Sequence, residues 1–497
     1  MAVPGSHDMS SIELQETAER PPPGQSVPNG STSHVATDDS SSKNSPTEKP
    51  NGGAFQQSEN GLEFSKISTP QKYTLVLFCA ADFAAGLAMS LPAPFFPREA
   101  ILKGSSLTMT GLVLGSFTMA VLVGSAVIGT LLTTLGPKFL CASGFMISGA
   151  CLVLMGFLDW GPPGTSFVVL SFLIRIFEGL GVAAFITSSS AVVSRTFPEH
   201  IATVFAARQG LRSVGMICGP SIGTLLYELS GFGMPFWVVG AFTIFISIVI
   251  AICMPSPDCS GHKEGSVISL LRSSRVSIAM LSVWLGPLAM GFLQTTLSHH
   301  LESYDATTTF VGLAFVLLSV LDIATLPVWG YLVDRKKLSG QLIVVGNLVG
   351  ALSLLFMGPS QLFPFLDHKE WCVMVGLVLF GATFGARSVP TVPHIIRGAF
   401  ELGCPDNINT HGLFSGLYLS VYCFGHITGS GLGGLLVDEM GFEASATIVA
   451  GLFVCVAVIS LIYFCVIHQQ EKIRRLQEDT HLLVSQGLPK SSQAAEK

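Results

Sequence analysis

A few charged and titratable side chains interrupt the long apolar stretches of this sequence. They are Asp82, Arg175, Glu178, Arg208, Arg212, Asp322, Arg387, His394 and His426. Where such a stretch crosses a lipid bilayer, a charge near its middle costs about 2.5–3.5 kcal/mol by insertion scales, so the residue needs a partner or a function. Carboxylates and imidazoles can then bind a cation or carry a proton, and arginines can hold a carboxylate. These residue types therefore predict ion pairing, proton transfer or the binding of a charged solute.

Two pairs of these residues have the spacing of neighbours on one helix face. Arg175 and Glu178 are three residues apart. They form either an ion pair that orders the helix or a proton site in which Arg175 sets the proton affinity of Glu178. Arg208 and Arg212 are one turn apart. We expect Arg208 to reach the end of its helix and Arg212, one turn deeper, to face a cavity.

Two acids stand alone in their segments. Asp82 and Asp322 have no basic residue close by in the sequence. Each is a candidate for binding a cation or a proton. The alternative for each is an ion pair with an arginine of another helix, Arg212 or Arg387.

The histidines and cysteines give weaker signals. His394 and His426 can titrate near neutral pH, but a hydrogen-bonded packing role is the favoured alternative for both. The 11 cysteines lie mostly in apolar stretches, and neither a CxxC pair nor a Cys/His metal spacing is present. We therefore expect no metal site and no cofactor.

The composition identifies the setting of all these residues. Of 497 residues, 49% are hydrophobic and 12% are charged, and the mean hydropathy is +0.59. A soluble globular chain carries about 25% charged residues. This excludes an ordinary soluble enzyme, a disordered protein and a nucleic-acid binder, and it predicts many bilayer crossings. The sequence also lacks a nucleotide-binding loop and a nucleophile elbow, so an enzyme is not expected.

Twelve apolar runs are long enough to span a bilayer, and lipid requires them to be helical. They cover about 73–95, 109–134, 139–158, 166–193, 204–228, 234–254, 276–298, 310–332, 341–359, 371–396, 412–437 and 444–467. The predicted organisation is a disordered cytosolic tail (1–68), a six-helix half (69–254), a cytosolic linker (255–275), a second six-helix half (276–468) and a cytosolic tail (469–497). Nine lysines and arginines lie in loops on the side of the N-terminus and three on the other, which predicts that both termini are cytosolic.

Two motifs occur twice at nearly the same interval. A loop motif occurs at Gly129–Lys138 and at Gly330–Lys337, and the first glycines are 201 residues apart. A glycine run begins at Gly215 in the fifth segment and at Gly425 in the eleventh, 210 residues apart. The residues that define these motifs are Gly129, Gly136, Lys138, Gly215, Gly219, Pro220, Gly223, Gly330, Asp334, Arg335, Gly425, Gly429 and Gly433. We therefore predict an all-α polytopic membrane protein with 12 transmembrane helices in two pseudo-symmetric halves, a transporter architecture.

Each motif has a mechanical interpretation. Asp334 and Arg335 could fasten neighbouring helix ends by charge pairing. The first loop has Thr133 in place of the acid, so its latch should be weaker. The glycine runs allow helices to approach closely, and Pro220 removes a backbone donor from the fifth segment. Both features suit halves that rock against each other.

These motifs resemble those of the major facilitator superfamily. The two loops resemble its signature loop, RIFEGLG (Arg175–Gly181) its fourth-helix arginine motif, and the first glycine run its antiporter motif. More narrowly, PAPFFPREA (92–100), SSSAVVSRTFP (188–198), GPSIGTLLYELSGF (219–232) and PTVP (390–393) resemble the vesicular amine transporter family, and within it the polyamine-transporting members. The resemblance covers about residues 70–468. It implies the major facilitator fold and exchange of an amine for protons.

The chain differs from those relatives at three positions where they carry acidic residues. The polyamine-transporting members carry acids in the fifth, seventh and tenth helices, where this chain aligns Gln209, Gln294 and His394. Polyamines are multivalent cations that need several carboxylates. The departure leaves an alternative substrate class, a zwitterion or an organic anion held by Arg212 and Arg387.

The C-terminal tail contains EDTHLL, which resembles an acidic dileucine sorting signal formed by Glu478, Leu482 and Leu483. It predicts a clathrin adaptor as a partner and a vesicle or endosome as the location, with the plasma membrane as the alternative.

The leading hypothesis is a secondary active transporter that exchanges a small organic cation, an amine or polyamine, for protons by alternating access. Its partners would be that small molecule, protons and the lipid bilayer, with no nucleic acid. The alternatives are an organic-anion or zwitterion carrier and a non-transporting membrane sensor or scaffold.

Overall fold

Long apolar segments of this chain are helical because lipid offers no partner for backbone N–H and C=O groups. In the computed structural model, the described residues are 68–92, 94–255, 270–302, 304, 308–358 and 370–485. They contain helices and turns but no strand. Residues 1–67 of the predicted N-terminal tail, 256–269 of the predicted linker and 486–497 of the predicted C-terminal tail lie outside this part.

The described residues form thirteen α-helices. The first half contains α1 (Thr69–Ser90), α2 (Phe96–Leu102), α3 (Leu107–Leu135), α4 (Pro137–Phe157), α5 (Thr165–Thr196), α6 (Ile201–Ser230) and α7 (Gly233–Cys253). The second half contains α8 (Ser274–Glu302), α9 (Thr308–Lys336), α10 (Ser339–Met357), α11 (Glu370–Ser388), α12 (Thr391–Glu401) and α13 (Ile408–Ser485). Gly441 interrupts α13 with φ of 80° and ψ of 164°.

These helices make twelve crossings. Ten segments of the described residues are long and apolar enough to span a membrane. One of them, Ile408–Ile467 in α13, is about three times the length that a crossing needs and is divided at Gly441, so it supplies two. Helix α6 is not among the ten because polar side chains such as Arg208 and Arg212 lower its hydropathy, and it supplies the twelfth.

Two boundaries differ from the sequence prediction. The tenth crossing is divided into α11 and α12, because Val389 and Pro390 form a turn between them. Helix α13 continues to Ser485, so the predicted C-terminal tail begins as helix. Glu478, Leu482 and Leu483 lie in this extension, and the positions of their side chains are not described.

The glycine runs lie at equivalent helix contacts in the two halves. A Cβ on Gly215 of α6 would overlap the carbonyl oxygen of Phe83 in α1, and one on Gly219 would overlap the hydroxyl of Ser90. A Cβ on Gly425 or Gly429 of α13 would likewise overlap a carbonyl oxygen of α8. One turn further along, a Cβ on Gly223 would lie 2.9 Å from the ring of Phe95, and one on Gly433 would lie 2.9 Å from the ring of Phe292. The fifth and first crossings therefore pack as the eleventh and seventh do.

Gly429→Ala is expected to lower the melting temperature of the purified protein by about 1–5 °C, since overpacking costs about 1–3 kcal/mol and each kcal/mol shifts a chain of this length by about 1–2 °C. The added methyl group meets the backbone carbonyl of Leu288, which cannot move without α8. Gly431→Ala, half a turn away, is the control, because a Cβ there meets no atom within 4 Å. Equal melting temperatures for the two variants would contradict the close-packing interpretation.

Candidate functional site

A cavity of about 240 Å³ lies between the two halves. Helices α1, α3, α5 and α6 line it from the first half, and α8, α9, α11, α12 and the first part of α13 from the second. Its aromatic lining consists of Phe117, Phe205, Phe384, Phe414, Tyr418 and Tyr422. Its charged lining among the described residues consists of Arg208, Arg212 and Asp322.

Asp82 does not stand alone, although no basic residue is near it in the sequence. Its carboxylate accepts a hydrogen bond from Nε of Arg208 at 2.5 Å and a second from Nη2 of Arg212. Arg208 also donates to the hydroxyl of Ser189 at 2.7 Å. The expectation that Arg208 reaches the helix end is wrong: its side chain is 3% exposed, because the close packing of α1 on α6 brings Asp82 within reach. The cluster carries two positive charges and one negative charge.

Asp322 is the acid that the structure brings to the cavity. It lies on α9 in the second half, and Gln209 and Ser213 of α6 approach its carboxylate from the first. Its Oδ1 atom has no hydrogen-bond partner. Tyr422 lies close enough to interact with the charges of both Asp322 and Arg212. A buried carboxylate oxygen without a partner is suited to bind a cation or a proton.

The Arg175–Glu178 pair lies away from the cavity. Nη1 of Arg175 donates to Oε2 of Glu178 at 2.8 Å, and both side chains are buried in α5. Neither lines the cavity, and the guanidinium stacks 4.6 Å from the ring of Phe117, which does. This geometry is that of an ion pair that orders the helix, and Glu178 does not contact the cavity.

Arg387 and His394 also lie outside the cavity lining. Arg387 is buried among aromatic rings of α11 and α13, so it cannot form a carboxylate clamp with Arg212 in this structure. The ring of His394 packs 5.2 Å from that of Phe464. Neither ring nitrogen of His394 has a hydrogen-bond partner, so the hydrogen-bonded packing expected for it is not found.

Two amide side chains, Gln294 and Gln209, also line the cavity. Gln294 of α8 and His426 of α13 form a hydrogen bond of 2.9 Å at the cavity wall. Gln209 of α6 accepts a hydrogen bond from Ser388 of α11 at 3.3 Å, which joins the two halves. Gln209 and Gln294, two of the positions where the sequence analysis expected acids in polyamine-transporting members, therefore both line the cavity as neutral groups.

The two repeated loops, 129–138 and 330–337, lie at one end of the bundle, which we call the motif end. In the second loop, the carboxylate of Asp334 accepts hydrogen bonds from the backbone N–H groups of Ala202 at 3.2 Å and Thr203 at 2.8 Å. It also accepts one from the Thr203 hydroxyl at 2.6 Å. These are the unpaired donors at the start of α6, where a negative charge is favoured. Asp334 thus caps a helix of the other half.

The predicted latch joined neighbouring helix ends by charge pairing of Asp334 and Arg335, whereas Asp334 bonds to uncharged groups of α6. The guanidinium of Arg335 lies 5.9 Å from the ring of Tyr331, on its own helix. Gly330 contributes by close approach, since a Cβ there would lie 2.9 Å from Cα of Thr203. The partners of the acid are thus two backbone amides and a hydroxyl, which a sequence motif does not display.

The first loop makes a different contact. The hydroxyl of Thr133, which stands in place of the acid, is buried without a partner. Helix α13 is capped by its own Asn407, which accepts from the N–H of Thr410 at 2.9 Å. Gly129 packs against the backbone of Gly412 and Gly416 in α13. Gly136, with φ of 81°, separates α3 from α4, and Lys138 follows at the second position of α4 with its side chain partly exposed.

A hydrogen-bond chain that the sequence did not reveal also joins the halves at the motif end. Ser194 of α5 lies 2.8 Å from Nδ1 of His411 in α13, and Nε2 of His411 lies 2.8 Å from Asp406. The His411 bond, with Arg195 nearby, holds the pKa of Asp406 below its usual value. Its signal in the sequence was a histidine immediately before the eleventh predicted segment, 412–437. Tyr418 and Tyr422 were missed too, although their spacing of four places them on one face.

Asp334→Ala is expected to loosen the motif end, because it removes a cap of the kind worth about 0.5–2 kcal/mol. A cysteine introduced at Ala202, where Asp334 now covers the backbone, should react faster with a maleimide in that variant than in the chain with Asp334. Asp438→Ala, an exposed acid elsewhere on α13, is the control. Equal reaction rates in both backgrounds would rule out a latch at Asp334.

Comparison with known proteins gives one consistent family. The model of the Major Facilitator Superfamily matches residues 78–403. The MFS-type transporter SLC18B1 of Mus musculus is 31% identical over 427 residues, which cover 84% of this chain and 92% of the relative. The same transporter of Homo sapiens is 31% identical over 386 residues, covering 77% and 84%. The synaptic vesicular amine transporter of Homo sapiens is 22% identical over 348 residues, covering 68% and 63%.

Two solved structures share the fold. The human organic anion transporter MFSD10 (TETRAN) matches with a TM-score of 0.63 and 16% identity, covering 79% of this chain and 100% of that one. The transporter FucP in the outward conformation matches with a TM-score of 0.61 and 15% identity, covering 78% and 98%. At these identities the likeness concerns the fold alone.

Proposed function

Because this chain belongs to the Major Facilitator Superfamily and is a multi-pass membrane transporter of that family, we propose that it exchanges a small organic amine for protons across a vesicle or endosome membrane. Two observations support an amine as the substrate class. One relative is the synaptic vesicular amine transporter, and the sequence motifs resemble those of the vesicular amine transporter family.

The unpartnered carboxylate oxygen of Asp322 carries the proposal. An ammonium group within hydrogen-bond distance would satisfy this oxygen and neutralise the charge. Aromatic rings such as Tyr422 and Phe384 line the same cavity, and their faces attract cations. Asp322 belongs to the second half, and Gln209 of the first half lies beside its carboxylate. A cation bound to Asp322 would therefore interact with both halves.

Exchange follows from a single site with two competing occupants. Asp322 can hold an ammonium group or a proton, but a protonated carboxyl group no longer attracts the amine. A proton from an acidic lumen would therefore displace the amine, and a cytosolic amine would displace the proton after reorientation. Differential loading on the two sides couples the two gradients.

The orientation of the chain is part of the proposal. The excess of lysine and arginine in the loops of the motif end supports a cytosolic position for that end and for both termini. The contacts of Asp334 with Ala202 and Thr203 would then close the cytosolic side. The cavity would face the lumen in this structure.

The lining favours one ammonium group over several. Asp82 is neutralised by Arg208 and Arg212, and apart from these two arginines the wall beyond Asp322 consists of neutral groups such as Gln294. A polyamine would have a single carboxylate for its charges. We therefore propose a monoamine-sized substrate in preference to a polyamine.

A zwitterion is the second candidate, and one observation favours it. The side chain of Arg212 is 24% exposed, and its Nε atom has no hydrogen-bond partner. A substrate could place its carboxylate at Arg212 and its ammonium group at Asp322. Arg387 is not needed for this arrangement.

The test is uptake into proteoliposomes of the full chain with an imposed pH gradient, acidic inside. Labelled tyramine, spermidine, glutamine and succinate serve as probes for the four substrate classes. We expect tyramine to accumulate and to be released when an ionophore collapses the gradient. Accumulation of succinate alone would replace the proposal by an anion carrier. Uptake of none of the probes and no thermal shift with any would favour a sensor or scaffold.

The proposed vesicle or endosome location depends on the EDTHLL motif of the C-terminal tail. We propose that a clathrin adaptor binds this motif. Glu478, Leu482 and Leu483 have the spacing that such adaptors bind. Replacing both leucines with alanine should move a fluorescently tagged chain from internal vesicles to the plasma membrane. An unchanged distribution would remove the adaptor from the proposal.

A further inference from the structure

Arg387 is a positive charge inside the second half. It is the largest fully buried side chain of the described residues, with 1% of its surface exposed. No carboxylate within that part of the chain forms an ion pair with it. Burial removes the hydration of a charge, so buried charges in proteins are paired with an opposite charge. Among the described residues, Arg387 therefore lacks the partner that its burial requires.

The acid of the cavity, Asp322, faces a different side of α11. Gly385 of α11 packs on α9: a Cβ on Gly385 would lie 2.9 Å from the side chain of Leu326, one turn from Asp322. Arg387 follows Gly385 by two residues, which turns its side chain about 200° around the helix axis. Its contacts are accordingly with α10 and α13, on the side away from α9. A counter-ion for Arg387 is needed on that side.

The groups around the guanidinium satisfy one of its three nitrogen atoms. Nη1 donates to the carbonyl oxygen of Gly346 at 3.3 Å and to the hydroxyl of Thr383 at 3.4 Å. Nε and Nη2 have no partner among the described residues. The other contacts are with aromatic rings, and Cζ lies 4.6, 5.3 and 5.5 Å from the ring centres of Phe380, Phe453 and Phe384. Rings stabilise a cation but do not accept all five of its N–H groups, so two donor nitrogen atoms are left for a ligand.

Gly286 of α8 leaves a space beside Nε. A Cβ on Gly286 would lie 4.0 Å from Nε of Arg387 and 3.6 Å from the ring of Phe384, which are ordinary van der Waals distances. The glycines of α10 leave no such space, since a Cβ on Gly350 would lie 2.7 Å from Nη1 of Arg387 and one on Gly346 would lie 3.0 Å from its Cγ. A group the size of a methyl therefore fits at Gly286, next to an unpartnered nitrogen atom. A chloride ion is about that size.

Neutral hydrogen-bond donors lie one turn from this space. Ser282 precedes Gly286 by one turn on α8 and accepts a hydrogen bond from Nδ2 of Asn347 at 3.1 Å. Both side chains are fully buried, and Oδ1 of Asn347 has no partner among the described residues. Turning this amide over would let the Ser282 hydroxyl donate to Oδ1 and would leave both N–H groups of Nδ2 for an ion. A guanidinium with amide and hydroxyl groups is a donor set that suits an anion and not a cation.

We propose that a chloride ion binds beside Gly286 as the counter-ion of Arg387. The ion accepts hydrogen bonds from Nε and Nη2 and neutralises the guanidinium, which explains a buried arginine without an acid. The site lies within the second half, between α8, α10 and α11, so rocking of the two halves leaves it intact. Chloride is thus a resident ion and not cargo. This inference does not depend on the amine proposal.

The first test compares melting temperatures of the purified full chain in potassium gluconate and in potassium chloride, because gluconate is too large for the space. Chloride at about 100 times its dissociation constant should raise the melting temperature by about 2–5 °C. Gly286→Ala fills the space with a methyl group, so this variant should fold normally and lose the response. Gly431→Ala, the same substitution at a position where a Cβ meets no atom within 4 Å, should keep it. Equal responses in the two variants would overturn the proposed site.

Binding of radiolabelled chloride is the direct measurement. Equilibrium dialysis should show a single saturable site on the wild type, and affinity at least about 10-fold weaker in Arg387→Gln and in Gly286→Ala. Arg272→Gln, which removes an exposed arginine, should bind chloride as the wild type does. No saturable binding to the wild type would overturn the proposal, whether or not the variants fold. Binding that survives in both site variants would overturn it too, since the ion would then be held elsewhere.

Discussion

Replacing Asp322 with asparagine is expected to reduce tyramine uptake to less than about 1% of the wild-type rate. The change removes the carboxylate oxygen that has no partner in the cavity, while the amide keeps nearly the same shape. Loss of the ammonium–carboxylate contact should weaken binding at least 100-fold, which corresponds to about 2.8 kcal/mol. The measurements are uptake into proteoliposomes and binding of labelled tyramine to the purified protein.

The matched control is Asp438→Asn, which changes an exposed acid of α13 three residues before the break at Gly441. That variant should transport at the wild-type rate. Asp322→Asn should still elute as a monodisperse species, so that the loss is not one of folding. Retention of half or more of the uptake by folded Asp322→Asn would exclude this residue as the exchange site.

The pH dependence of binding has a definite sign under this proposal. A proton and the amine compete for the same carboxylate, so tyramine binding should strengthen as the pH rises toward neutrality. In Asp322→Asn the residual binding should no longer follow the pH. This difference separates a role at the site from a role in folding, which would weaken binding at every pH.

The crossings could be predicted from the sequence because lipid allows little choice. A segment without internal hydrogen bonds is not tolerated there, so hydropathy and length identified most of the helices. Helix α6 shows the limit of that argument, since its arginines and glutamine lower its hydropathy below that of the other crossings. It was nevertheless predicted, as the fifth apolar run at about 204–228.

The partners of the buried charges could not be predicted, because they come from packing between distant segments. Asp82 and Arg208 are 126 residues apart and meet because Gly86 and Gly215 let α1 and α6 approach. The latch of Asp334 was predicted at the right residue, but its partners are backbone amides of α6. Arg387 was predicted to hold a carboxylate in the cavity. The helix that carries it does line the cavity, but the Arg387 side chain lies among the rings of Phe380, Phe384 and Phe453.

Asp82→Asn is expected to have the largest effect on stability. The carboxylate of Asp82 is fully buried and pairs with Arg208 and Arg212. Breaking a buried ion pair by removing one partner costs about 3–5 kcal/mol, because the remaining charge is left uncompensated. We expect little folded protein from this variant, measured as the monodisperse fraction after detergent extraction. Asp159→Asn is the control, since its pair with Lys103 at 3.6 Å is partly exposed and worth no more than about 1 kcal/mol.

A double variant distinguishes lost charge balance from lost shape. Asp82→Asn with Arg208→Gln removes one negative and one positive charge and leaves Arg212 facing the cavity, where its side chain is 24% exposed. If the unbalanced charge causes the loss, the double variant should recover most of the folded fraction, although it lacks two side-chain hydrogen bonds. If the hydrogen bonds of Arg208 to Asp82 and Ser189 matter more, the double variant should be worse than either single change. Recovery would also mean that Arg212 alone suffices at the cavity wall, so uptake of tyramine and of glutamine by this variant would test the amine and zwitterion proposals in the same protein.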